Sequence, residues 1–173
     1  MKKLITSVRG FTLVEILIVV GIIGLLASVV LSGLGSTRAR GRDARRIADI
    51  RQAQQALELY YAKCQVYPGV TGAGADCGAS VTSWDSLRQA LTDASIGITG
   101  LANDPLSANS GSRTYNYAVG NSGQEYVLEA ILEDTSPDNA LLKDSYKGDT
   151  SDFSDVVVGS INCAEAGHYC VRF

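Results

Sequence analysis

Few side chains in this chain of 173 residues are placed to do chemistry, and the one with most to explain is Glu15. It is the only ionisable group in the apolar run that starts at Phe11 within GFTLVEILIVVGIIGLLASVVLSGL, residues 10 to 34. A carboxylate near hydrocarbon costs about 3 kcal/mol even on lenient insertion scales. Either Glu15 reaches headgroup water from the edge of the run, or a cation repays the cost. The other candidates are four cysteines, one histidine (His168) and the close aspartates Asp144, Asp149, Asp152 and Asp155.

None of these assembles a reaction centre. The cysteines fall as local pairs, Cys64 with Cys77 and Cys163 with Cys170, although four cysteines allow three connectivities. Neither pair is a CxxC, and one histidine at these spacings does not make a Cys2His2 zinc site. Two loop-closing disulfides are the plain expectation, and they require an oxidising compartment. A nucleophilic triad would depend on His168 alone, and no Gly-x-Ser-x-Gly or phosphate-cradling loop is present. The aspartates lie in polar sequence with nothing to desolvate one of a pair. An enzyme is therefore not expected.

The elements around these residues explain more. The apolar run, as a helix rising about 1.5 Å per residue, reaches the roughly 30 Å of a hydrocarbon core. Small residues at Gly24, Ser28, Ser32 and Ser36 line one face at the spacing that lets helices approach closely. Charge is uneven: 15 basic and 18 acidic residues give a net of −3, and without Lys2, Lys3 and Arg9 the balance is 12 against 18. Arg38, Arg40, Arg42, Arg45, Arg46 and Arg51 form a basic neck with only Asp43 and Asp49 among them, while from Gln52 onward 6 basic residues face 15 acidic ones. The neck is expected to meet anionic lipid or an acidic surface of a neighbouring subunit; nucleic acid is disfavoured because no aromatics interleave. By the positive-inside rule this neck would hold the head in the cytoplasm, whereas the cysteines favour export.

From Thr37 to Lys63, Ile47, Ile50, Leu57 and Tyr61, with Ala44, Ala53 and Cys64 near them, recur at helical spacing. The two halves are expected to form one helix of about 53 residues, its inner half left for other copies. Tyr67-Pro68-Gly69 ends it. A short helix follows with Trp84, Leu87, Ala90 and Leu91 on one side, then a turn at Asn103-Asp104-Pro105. Thr114 to Val119 and Glu125 to Leu132 read as an antiparallel hairpin, and Val156 to Val158 with Tyr169 to Phe173 as closing strands. The expected fold is α+β: a long N-terminal helix, spanning in its first half and amphipathic in its second, packed on a small antiparallel sheet.

The basic leader ending in Gly10, the Phe11-Thr12-Leu13-Val14-Glu15 start and the apolar run that follows at once resemble the class III leader of type IV pilins and type II secretion pseudopilins. The resemblance implies that prepilin peptidase cuts between Gly10 and Phe11 and that Phe11 is then N-methylated. It implies that Glu15 is an assembly residue, meeting the new amino terminus of a neighbouring subunit, and that the head is exported. The divisions expected are a leader (1–10), a spanning and assembly half-helix (11–35), an amphipathic half (36–66) and a globular head (67–173). Partners implied are further copies in a helical filament, prepilin peptidase, the inner-membrane platform of a pilus or secretion system with its assembly ATPase, and the membrane. The expected location is single-pass in the cytoplasmic membrane, then a periplasmic or cell-surface filament. No metal or other cofactor is expected, apart from calcium as a lesser alternative: major pseudopilins hold it near the region of Asp144 to Asp155, but this loop lacks an alternating Asp signature. The family often has a proline about twenty residues past the cut, where this chain has Ser32 and Gly33; any softening there would come from Gly33 and Gly35. Competing readings are a membrane-tethered binding protein that does not polymerise, and a secreted protein whose run is a signal peptide cut near Ala27 or Gly35.

Overall fold

A computed structural model describes residues 10–70, 76–107, 115–136 and 138–173. The leader residues Lys2, Lys3 and Arg9, much of the Gly-Ala stretch after Pro68, and Thr114 lie outside the described residues. The chain divides into two compact units, Met1–Arg38 and Ala39–Phe173.

The first helix, α1, is Leu13–Cys64. Thr12 caps its start: the Thr12 Oγ1 accepts a hydrogen bond from the Glu15 N–H at 3.3 Å, satisfying a donor that has no partner within the helix. Within the first unit, Leu13–Leu31 is apolar enough to cross a membrane, with a mean hydropathy of 2.8 and none of it buried. Leu, Ile and Val face outward all round this segment, so no single side turns to a core of its own. The helix runs through Ser32, Gly33 and Gly35 without interruption.

In the second unit, α1 buries one face. Ile50, Ala53, Ala56, Leu57, Tyr60 and Cys64 are inaccessible to solvent or nearly so. This corrects the expected face in two places. Tyr60 rather than Tyr61 points to the core, and Ala44 is exposed. Tyr61 instead lies on the rim and donates its hydroxyl to Gln124 at 2.6 Å. The helix stops one turn earlier than Pro68, because Gln65 takes a left-handed conformation with φ of 59°.

Helix α2, Trp84–Asp93, begins with a capping box in which Ser83 and Ser86 satisfy each other's backbone. It buries Trp84, Leu87, Ala90 and Leu91. The sheet comprises β1 (Asn116–Gly120), β2 (Glu125–Ile131), β3 (Val156–Val158) and β4 (His168–Arg172), in the order β3-β1-β2-β4 with every pairing antiparallel. The turn between β1 and β2 places Asn121, Ser122 and Gly123 at positive φ, which suits a tight hairpin link. Alternation along the two central strands sorts the core. Tyr117, Val119, Tyr126, Leu128 and Ala130 join the α1 and α2 side chains. Ala118 and Val127 meet Phe153, Cys163 and Cys170 on the other face. Both faces of the central strands are thus covered.

Candidate functional site

Polar residues gather in two places, one in each unit. The first is the segment Gly10 to Glu15. Gly10, Phe11 and Thr12 precede the helix, and Phe11 is 78% exposed. The helix begins at Leu13, so Phe11 stands just outside it. Glu15 is the third helical residue, and its carboxylate has no ion-pair partner among the described residues. A negative charge in the first turn is favourable to the helix dipole. The order Thr12-x-x-Glu15 matches a capping-box signature, a second reason for a carboxylate at this position that the sequence offered and the apolar context obscured.

The second group lies where α1 enters the head unit. Arg46 is completely buried, as is Asp43, and Asp104 is 5% exposed. The Arg46 Nε donates to Asp104 Oδ2 at 2.6 Å, and its Nη1 donates to Asp43 Oδ1 at 2.6 Å and to Glu133 Oε1 at 2.8 Å. Arg42 donates through Nε to Glu133 Oε1 at 2.7 Å and through Nη2 to Glu133 Oε2 at 2.5 Å. Asp43 also accepts the backbone N–H groups of Glu133 and Asp134, at 2.9 and 3.0 Å. Two guanidinium groups thus face three carboxylates, and Asp43 is satisfied further by the two backbone donors. The Arg42 hydrogen bonds, reinforced by Arg46, hold the Glu133 carboxyl down at about 2. Burial pulls the Arg46 guanidinium down, but its bonds to Asp104, Glu133 and Asp43 outweigh that and raise it.

This changes the reading of the basic neck. Arg42 and Arg46 are committed to carboxylates of their own head unit and are not offered to lipid or to a neighbour. Arg40 and Arg45 make only loose pairs at 3.9 and 3.8 Å, and Arg38 and Arg51 make none among the described residues. Charge counting could not separate these sets, because Asp104 and Glu133 are 58 and 87 residues from Arg46. The Asn103-Asp104-Pro105 turn was visible in the sequence; its carboxylate's role was not.

Cys64 is bridged to Cys77, and Cys163 to Cys170. His168 Nδ1 lies 2.7 Å from Glu129 Oε1, inside the head. Glu129 is wholly buried and is satisfied further by Asn116 Nδ2 at 2.6 Å and the Asn162 N–H at 2.8 Å. Among the described residues both nearby sulfurs, Cys163 and Cys170, are in the bridge. Glu129, Cys163 and Cys170 are also the sole group of three metal-type donors gathered within ligand range among the described residues, and the bridged sulfurs cannot serve as thiolates. Asp144, Asp149, Asp152 and Asp155 are not brought together in this way. Asp149 accepts from Ser151, and Asp155 from the Ser122 N–H.

A membrane-length helix with its apolar sides bare, running into a disulfide-bonded α+β head, is a pilin-like architecture. Residues 5–31 match the family model described as the prokaryotic N-terminal methylation motif. Over 60 residues the chain is 38% identical to the type II secretion system core protein G of Escherichia coli K12, covering 35% of this chain and 41% of that protein. Over 68 residues it is 37% identical to the protein of the same description from Vibrio cholerae, covering 39% and 46%. The protein of that description from Pectobacterium carotovorum is 37% identical over 60 residues, covering 35% of this chain and 38% of its own length. The chain thus spans less than half the length of these curated relatives. No solved structure matches significantly. Through this N-terminal segment the chain is similar to type IV pilin-like proteins and to the major pseudopilins of type II secretion systems.

Proposed function

We propose that the chain is a structural subunit of a type II secretion pseudopilus or a closely related pilus. It is held in the cytoplasmic membrane by α1 with its head exported, cut by prepilin peptidase between Gly10 and Phe11, methylated at Phe11 and assembled into a helical filament. The observation that carries this reading is the methylation motif at residues 5–31 laid over a helix segment, Leu13–Leu31, that buries none of its apolar surface. Residues 1–10 act as the leader, 11–35 as the spanning and assembly half, 36–66 as the amphipathic half and 67–173 as the head. The inner-membrane platform and assembly ATPase are the partners that extract the subunit.

Glu15 acts in assembly. Cutting creates a cationic amine at Phe11, and a carboxylate bare in one subunit gains a partner when the amine of another approaches. One-sided loss of an ion pair in a low-dielectric setting costs about 3 to 5 kcal/mol, so the pair penalises wrong register. The test is mass spectrometry of the mature amino terminus, with electron microscopy of cells that carry the secretion machinery. N-methyl-Phe11 in fibres is the expected result; an intact Met1 with no fibres supports a tether, and a start beyond Ala27 a secreted protein.

A further inference from the structure

The head unit carries two surface features that fit each other. Along α1 in the head unit, Ala44, Ile47, Ala48 and Leu141, with Arg51, Gln52 and Gln55, line an open trough of about 420 Å³. Arg51 is exposed and has no ion pair among the described residues. On the sheet, β3 is one of the two edge strands, and Val157 on it is 50% exposed. Asp152 and Asp155, also exposed, lead into it. Asp155 spends one oxygen on the Ser122 N–H, and Asp152 makes no ion pair among the described residues.

We propose that the trough receives the β3 corner of a second copy of this chain, with Val157 over Ala44 and Ala48 and the Asp155 and Asp152 carboxylates against Arg51. This rests on the filament reading given above. Chemistry supports the match. Ala48 and Arg51 are one helical turn apart, with Cβ atoms about 5 to 6 Å from each other. Val157 lies in β3 and Asp155 is the residue just before that strand. One feature thus offers a largely apolar hollow beside a cation, and the other an exposed apolar side chain with anions close by in the chain.

Charge names the occupant. The chain from Gln52 onward has 6 basic and 15 acidic residues, so heads repel one another unless a cation is interposed, and Arg51 is available for that. The aspartates beside β3 discourage backbone pairing at the edge, which leaves the Val157 side chain as the contacting group. Because the two surfaces differ, the contact is heterologous. Contacts of that kind propagate as open helices when they do not close.

The test uses the full chain in cells with the assembly machinery, scoring fibres by electron microscopy and shear yield. Arg51→Glu, Asp152→Arg and Val157→Asp should each cut fibre yield on the order of fivefold, leaving head melting unchanged. Arg51→Glu combined with Asp152→Arg should recover most of it. Wild-type yield from all three single variants overturns the trough contact, while loss of fibres in Glu15→Ala in the same experiment keeps the filament reading. Absence of fibres from the wild-type chain overturns both. If Arg51→Glu lowers binding to phosphatidylglycerol vesicles relative to phosphatidylcholine vesicles, and the double variant restores no fibres, the trough is a lipid contact and the proposal fails.

Discussion

Replacing Arg46 with methionine keeps the length and apolar stem of the side chain but removes the cation at the centre of the buried network. Asp43 and Asp104 are then left buried without it, while Glu133 retains Arg42. Breaking a buried ion pair from one side costs about 3 to 5 kcal/mol, because the remaining charge is uncompensated. For a unit of this size that corresponds to a fall in melting temperature of roughly 10 to 20 °C. The comparison is Arg51→Met, which removes an exposed arginine with no ion pair and should change stability by at most about 0.5 kcal/mol. Adding Asp104→Asn to Arg46→Met should recover part of the loss by removing one orphaned charge. The assay is thermal unfolding of the full chain in detergent, followed by near-ultraviolet circular dichroism. Melting of Arg46→Met within a degree or two of Arg51→Met would refute the claim that this network fastens α1 to the head.

Glu133, held at about 2 against its ordinary 4.5, is stabilised by its partners in the folded state alone. Its contribution, about 3 kcal/mol at most, is complete above pH 4.5 and disappears as pH falls toward 2; melting measured across that window should lose much of its slope in Glu133→Gln. Opening the Cys64–Cys77 bridge with paired serines should destabilise the head by about 3 kcal/mol, read as a shift in urea midpoint. Thr12→Ala should weaken the first turn of α1 by about 1 kcal/mol, seen as faster amide exchange at Glu15, whose N–H is bonded to the Thr12 hydroxyl. Glu15→Ala should leave membrane insertion intact while reducing incorporation beside wild-type subunits, scored by the tagged fraction in sheared fibres.

Local patterns made much of the fold legible. The hairpin strands were visible because two strand-like runs, Thr114 to Val119 and Glu125 to Leu132, flank Gly120-Asn121-Ser122-Gly123. Helix α2 was visible because Trp84, Leu87, Ala90 and Leu91 keep a helical period. The face of α1 was legible only to within one position: Tyr60 and Tyr61 are both aromatic, and packing against Tyr117 and Tyr126 decided between them. The ion network was not legible at all. Its partners meet through the tertiary fold, and a basic cluster reads the same in sequence whether its cations are buried or solvated.

The two units handle charge in opposite ways, and that difference bears on function. In the head unit each deeply buried charge has a counterpart: Arg46 has three carboxylates, Asp43 adds two backbone donors, and Glu129 has His168, Asn116 and the Asn162 N–H. Buried groups left unpaired would cost several kcal/mol each, so a head that folds alone must satisfy them internally. The apolar segment obeys no such rule within one chain. Glu15 has no ion-pair partner among the described residues, and Leu13–Leu31 buries nothing. Under the function proposed above, the counter-charge for Glu15 comes from another molecule: the amine that cutting before Phe11 would expose in a neighbouring copy has the right sign and lies at the right end of the helix.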